Sequence, residues 1–243
     1  MLPEIGLRHR RELIGSGAKV LNVTKLEYAW KKGDVPVLRI DALGLEKGER
    51  VFLRGPSGSG KSTLLAAIAG VVDIPTGSIS VAGTDVGQLR SGARDRFRVD
   101  HVGLIFQMFN LIPWQSALEN VLMPCRFSRR RRERTGADPK LSALRLLDEL
   151  GLSDPALVSA LAMSLSVGQQ QRVAAARALI GAPELILADE PTSALDEDAK
   201  TSFLDLLKRE CESVGSALLF VSHDRSLEEG FDRVLDIAEV NKV

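Results

Sequence analysis

Glu49-Arg50-Val51-Phe52-Leu53-Arg54-Gly55-Pro56-Ser57-Gly58-Ser59-Gly60-Lys61-Ser62-Thr63 is the stretch that decides the fold. Val51-Phe52-Leu53 is a continuous apolar run, as expected of a strand covered on both faces. The glycine-rich residues after it fit G-x-x-x-x-G-K-[ST], and Ser62 to Gly70 reads as a helix ending at a glycine. Phosphate oxygens need many convergent N–H donors. Glycines let the backbone curl round the anion, and a helix N-terminus adds favourable partial charge. Gly55, Pro56, Ser57, Gly58, Ser59 and Gly60 would line that cradle. Lys61 would reach the β- and γ-phosphates, Ser62 would coordinate Mg²⁺, and Thr63 would donate to a phosphate oxygen. The loop alone indicates a nucleoside triphosphate and does not separate kinases, GTPases, helicases and transport ATPases.

Around this loop, strand and helix patterns alternate. Val20 to Trp30, Val37 to Ile40, Ile79 to Val81 and Val102 to Phe106 read as strands. Leu185 to Ala188 and Leu218 to Val221 are apolar strands separated by a helix near 197–213. That alternation predicts an α/β fold with a mostly parallel sheet and an antiparallel β portion near the N-terminus. From Pro113 to Pro155 the pattern is helical, with Leu141, Leu144, Leu147 and Leu150 at helical spacing, and a further helix is expected at about 168–181. We expect residues 1–18 to be a loose lead-in. Residues 19–243 would form a single domain with a helical lobe at about 108–180.

Composition narrows the function. In 243 residues, Lys plus Arg (32) cancels Asp plus Glu (32), which gives no reason to expect nucleic acid as a partner. No apolar run approaches the ~18 residues that span a bilayer, and the first residues lack the apolar core of a signal peptide. Cys125 and Cys211 supply no disulfide framework and no zinc-site spacing. The basic run Arg126 to Arg134 reads either as a solvated helical face or as a contact for phospholipid headgroups or an acidic partner.

A second chemical signal is Leu185-Ile-Leu-Ala-Asp189-Glu190-Pro191, an apolar strand ending in two carboxylates. Ligands in open α/β sheets sit at strand C-termini. Asp189 there suits a metal, usually through water, and Glu190 is free to deprotonate the attacking water.

Further residues carry a resemblance. Leu165-Ser166-Val167-Gly168-Gln169-Gln170-Gln171-Arg172 resembles the signature of ABC-type ATPases, usually written LSGGQ. Ser193-Ala-Leu-Asp196 is similar to that family's D-loop, Ser222-His223-Asp224 to its switch histidine, and Gln107 to its Q-loop glutamine. These ordered motifs, with the phosphate loop, cover roughly residues 19 to 238. The resemblance implies the ABC ATPase fold, with ATP and Mg²⁺ as cofactors and ATP hydrolysis as the reaction. It implies a head-to-tail pair of protomers, most simply a homodimer. Ser166, Gly168 and Gln169 of one protomer would then face the phosphate loop of the other. Gln107 would sense Mg²⁺ and water, and His223 would bond the γ-phosphate and help hold Glu190. Lys61, Gln107, Glu190 and His223 are the implied catalytic set; Ser62, Gln107 and Asp189 are the implied metal set. Adenine would stack on an aromatic of the first strand, either Tyr28 or Trp30, with Trp30 favoured. The family's usual glycine is Val167 here. Closure on ATP survives this if the position needs no positive φ.

Phe106-Gln-Met-Phe-Asn-Leu-Ile-Pro113, followed by Ala117-Leu-Glu-Asn-Val121-Leu-Met-Pro124, resembles a subgroup that includes lipoprotein-release and macrolide-export ATPases and a cell-division ATPase. That likeness implies a separate FtsX-like membrane permease and a peripheral location on the cytoplasmic face of the inner (plasma) membrane. An alternative is a regulatory ATPase that signals across the membrane in cell division or cell-wall control. A soluble relative acting on DNA or ribosomes would carry two motif sets or a long insertion. Only about 105 residues separate Lys61 from Ser166.

Overall fold

The computed structural model describes residue 17, residues 19–31 and residues 33–243. The expected lead-in at 1–18 lies, except for residue 17, outside the described residues. In chain order the elements are β1 (Lys19–Tyr28), β2 (Leu38–Glu46), β3 (Arg50–Arg54), α1 (Lys61–Ile68), β4 (Ile79–Val81) and β5 (Thr84–Asp85). Then come α2 (Ser91–His101), β6 (Val102–Ile105), α3 (Ala117–Phe127), α4 (Arg129–Arg134), α5 (Pro139–Glu149) and α6 (Pro155–Ser159). The last elements are α7 (Val167–Leu179), β7 (Leu185–Asp189), α8 (Glu197–Val214), β8 (Ala217–Ser222), β9 (Arg233–Asp236) and α9 (Ile237–Val240).

These residues form two compact units. One runs up to Arg98 and resumes at Ala217–Val243; the other is Val99–Ser216. The first unit holds an antiparallel sheet, in which β1 pairs with β2 and β4, and β4 with β5. It also holds a parallel set, with β3 between β8 and β9. All six residues of β8 are buried, and its first five, Ala217 to Val221, are an unbroken apolar run, as expected of a strand covered on both faces. Phe52 stacks on Phe220 at 5.7 Å and meets Phe231 edge-on at 5.2 Å. Each such buried ring or aliphatic chain contributes ~1.5–3 kcal/mol.

In the second unit β6 and β7 pair in parallel, and α3 packs on α5 and α7. Ser116 caps α3 through a capping box with Glu119, which fixes where the helical segment starts. The stripe that α5 buries is Ala143, Leu146, Leu147 and Leu150, spaced i, i+3, i+4, i+7. Of the four leucines at helical spacing, Leu147 and Leu150 belong to this stripe, while Leu141 is exposed in the first turn, because the buried spacing starts two residues later.

The basic run is for the most part a solvated helical face, with Arg126, Arg129, Arg132 and Arg134 exposed, but Arg131 departs from that reading and is a structural staple. Arg131 is 2% exposed and donates to the carbonyls of Val99 (2.6 Å), Ala178 (3.0 Å), Ile180 (2.9 Å) and Val102 (2.7 Å). Burial holds its pKa down to about 10, so it stays charged at neutral pH. Arg130 and Arg134 pair with Glu184, which also meets His101 Nδ1 at 3.0 Å. Although Glu184 is partly buried, the bonds from His101 and Arg130 hold its carboxyl down at about 2.

Strand limits also differ from expectation. β1 ends at Tyr28, leaving Trp30 beyond it, and β2 runs on to Glu46 despite Asp41 and Gly44. Cross-strand pairing with β1 outweighs the weak intrinsic preference of those two residues.

Candidate functional site

The predicted site residues fall into two groups, one in each unit. In the first unit, Arg54 pairs in register with Ser222, so the loop that follows β3 and His223 after β8 leave the same edge of adjacent parallel strands. Gly60 caps α1 with φ 92°, a left-handed conformation that costs glycine little, and no side chain caps this helix. A helix start without a side-chain cap suits an anion site. Gly55 permits close approach: a Cβ there would lie 2.1 Å from Ile237 Cγ2.

Lys61 is buried and folds back on its own loop. Its Nζ donates to Gly55 O at 2.6 Å and Pro56 O at 2.8 Å. Ser59 Oγ donates to Pro56 O at 2.7 Å, while Ser57, Gly58 and Ser62 face solvent. The ammonium is thus held at the rim of the loop by two carbonyls that a phosphate oxygen can replace as its partner. His223 is exposed, and Asp224 N donates to Ser222 Oγ at 3.1 Å, tightening the turn that carries it. Trp30 is 60% exposed; Tyr28 is half-buried and meets its ring edge-on at 5.4 Å. Trp30 has the open face, and Tyr28 buttresses it.

In the second unit, Ile105 pairs in register with Ala188. Gln107 and the Asp189–Glu190 pair therefore follow the same edge of two parallel strands. Asp189 Oδ1 is buried and has no hydrogen-bond partner among the described residues. Glu190 sits at φ 47°, an uncommon backbone for a non-glycine residue and one that aims it away from the strand direction. Buried Gln171 donates to Pro191 O at 2.5 Å, fixing the turn after Glu190 to α7.

Ser166 is the N-cap of that helix. Its hydroxyl accepts from Gln169 N at 3.3 Å, and Gln169 Oε1 accepts from Ser166 N at 2.9 Å. Gln169 thus shapes the signature turn itself. Val167 is the first helical residue and is not among the positive-φ positions, so valine is tolerated where glycine is usual. Gly168 is also free of positive φ, and a Cβ there would meet only Leu195 Cδ2 at an ordinary 3.7 Å. The described residues make no demand for glycine at 168. Asp196 caps α8, accepting from Ala199 N at 2.8 Å.

Sequence reasoning missed Arg177. It lies on α7 and donates to Asn110 O and Phe109 O, both at 2.6 Å. Phe109 and Asn110 are both in left-handed conformations, at φ 55° and 50°. Arg177 thereby holds the strained turn that follows Gln107, and burial holds its pKa down to about 10. A lone arginine within the Ala-rich run Val173 to Leu179 was the available signal.

Two parallel strand edges carrying a phosphate loop and a carboxylate pair, with a capped glycine-containing helix start, define a nucleotide-hydrolysing cassette. The sequence model described as ABC transporter matches residues 38–193, so the chain belongs to the ABC transporter family. It is 40% identical over 223 residues to lipoprotein-releasing system ATP-binding protein LolD 2 of Caulobacter vibrioides, covering 90% of this chain and 95% of that protein. It is 40% identical over 227 residues to macrolide export ATP-binding/permease protein MacB of Burkholderia pseudomallei, covering 90% of this chain and 33% of that longer protein. A solved dimeric structure of a bacterial ABC transporter cassette superposes with a TM-score of 0.77 at 34% identity, covering 89% of this chain and 94% of that one. The chain is an ABC transporter ATPase subunit of the LolD/MacB type. Among the described residues, no helix is long and apolar enough to cross a membrane.

Proposed function

We propose that two copies of this chain bind two ATP molecules head to tail, close, hydrolyse them and so drive a separate FtsX-like permease from the cytoplasmic face of the membrane. The observation that supports the paired arrangement is the likeness to a solved dimeric ABC transporter cassette, at a TM-score of 0.77 and 34% identity. The open space beside Gly168 leaves a ligand room to approach the start of α7 in this reading. The two units act as one ATPase domain over residues 19–243, with the helices of about 108–180 as its lobe.

In this reading Gly55 to Gly60 wrap the phosphates, Lys61 exchanges its two loop carbonyls for β- and γ-phosphate oxygens, and Thr63 donates to a phosphate oxygen. Trp30 stacks on the adenine. Mg²⁺ fits the donors present: the partnerless buried Asp189 Oδ1 is a costly acceptor unless a cation or its water shell meets it. Ser62, Gln107 and Asp189 would hold the ion, which neutralises charge developing on the phosphates. Glu190 takes a proton from the attacking water, and His223 bonds the γ-phosphate. Ser166 and Gly168 of the opposite protomer donate to that same phosphate. Trp114 is 74% exposed beside Leu161 and Met163, which are joined to its loop by the Met163 N to Pro113 O bond (3.1 Å). This apolar surface favours a membrane-protein partner.

Glu190→Gln is expected to accumulate a closed, ATP-bound dimer with turnover lowered by about 10² or more. Wild-type turnover would remove the base assignment. Affinity capture of that variant from gently solubilised membranes, with ATP and Mg²⁺, is expected to recover an FtsX-like permease. Recovery of a many-helix permease instead would discard the subgroup.

A further inference from the structure

We infer that Asn241 is a positioning residue that sets the spacing between the base-binding and phosphate-binding parts of the ATP site. The inference rests on the reading of Trp30 as the adenine platform.

The Asn241 carboxamide lies between two segments. Its Oδ1 accepts from Arg39 N at 2.7 Å, and its Nδ2 donates to Val37 O at 3.0 Å. The partners fix the orientation of the amide, because Arg39 N–H only donates and Val37 C=O only accepts. The side chain thus imitates a peptide unit of a neighbouring strand along the start of β2. Lys242 N donates to Arg39 O at 2.8 Å, and Ile40 and Asn241 form an isolated antiparallel bridge, so the imitation continues a real backbone pairing.

Val37 and the phosphate loop connect the two halves of the site. Val37 N donates to Tyr28 O at 2.7 Å, closing the hairpin loop that carries Trp30. On the other side, Asn241 Nδ2 makes a longer contact to Ser59 O at 3.4 Å. A Cβ on Gly60 would stand 3.2 Å from Val37 O and 3.3 Å from Asn241 Nδ2. The last glycine of the loop therefore packs directly on this junction, while Ile237, one turn earlier, packs on its first glycine. Asn241 N donates to Ile237 O at 2.7 Å, making the turn a single piece. One amide bonds the base-side hairpin, touches the phosphate loop and is anchored by its own backbone. ATP must bridge both parts, so its affinity depends on their separation. A ligand that uses only the phosphate loop does not.

The test compares MgATP with magnesium tripolyphosphate, measured by calorimetry on the full chain. Asn241→Asp keeps the acceptor for Arg39 N–H and turns a carboxylate oxygen towards Val37 O and Ser59 O. Asn241→Ala removes the carboxamide and serves if the aspartate variant folds poorly. The expected result is an ATP Kd raised about tenfold, a tripolyphosphate Kd changed by less than about twofold, and kcat at saturating ATP within about twofold of wild type. Equal loss for both ligands overturns the inference, as does a lowered melting temperature with ATP affinity unchanged. Trp30→Ala is run alongside. If it weakens ATP binding and neither Asn241 variant does, this inference fails alone. If Trp30→Ala leaves ATP affinity intact, the base reading and this inference fall together.

Discussion

Replacing Arg131 with Met, similar in volume but uncharged, is expected to destabilise the Val99–Ser216 unit by about 3–5 kcal/mol. The guanidinium donates to four main-chain carbonyls at 2.6–3.0 Å, drawn from the end of α2, the first residue of β6 and the C-terminal end of α7. Charge-assisted bonds contribute ~1.5–3 kcal/mol each, roughly 6–12 kcal/mol gross for four. Desolvating the guanidinium opposes this by several kcal/mol. The net loss is set by carbonyls left buried with no donor, two of them at the C-terminal end of α7, where the helix has no further N–H to offer. Arg131→Lys is expected to lose about half as much, since three ammonium donors cannot reach four divergent acceptors. Urea unfolding followed by circular dichroism measures this, with Arg126→Met as an exposed control expected within about 0.5 kcal/mol of wild type. An Arg131→Met midpoint shift equivalent to less than about 1 kcal/mol, at unchanged slope, would refute the staple argument.

Lys61→Ala is expected to weaken ATP binding by at least about a hundredfold, the loss of a charge-assisted phosphate contact, and calorimetry finding wild-type affinity would refute the assignment. Burial, with Glu149 alongside, raises the Glu210 pKa from its ordinary 4.5 to about 7, partly offset by Arg145. The folded protein therefore binds this proton more tightly than the unfolded chain. The stability it gives is full below about pH 4.5 and lost as pH rises through 7. Glu210→Gln should then be more stable than wild type at pH 8, by about 1–3 kcal/mol, with the advantage gone at pH 5. A pH-independent difference in thermal melts would show that this carboxyl does not titrate as described.

Much of the local structure of the candidate site was legible in the chain itself. The phosphate loop had to follow a buried strand and open a helix, and it does, because its glycines and the bare start of α1 are properties of adjacent residues. The same holds for Asp189 and Glu190 at the end of an apolar run, and for the capping box of Ser166 and Gln169, whose partners are three residues apart. Errors arose where long-range partners decide. The reading of Arg126 to Arg134 as a solvated face missed Arg131 alone, because nothing nearby in sequence announces four carbonyls from elsewhere in the unit. The leucines at helical spacing did not tell which of them is buried, because periodicity gives a spacing and not the direction of the neighbouring element: Leu147 and Leu150 are buried and Leu141 is exposed.

The sequence by itself therefore determined the candidate chemistry: which loop is proposed to hold phosphate, which strand ends carry carboxylates, and which helix starts with a bare glycine. Tertiary structure alone decided how those parts are held. Arg131, Arg177 and Asn241 each satisfy main-chain groups far away in sequence, and β9 and α9, which place Asn241, carry no strong local signal. The physical reason is that motif chemistry is written in spacings of a few residues. A buried polar group must instead find its partner in three dimensions, and only the packed chain specifies which carbonyls remain to be bonded.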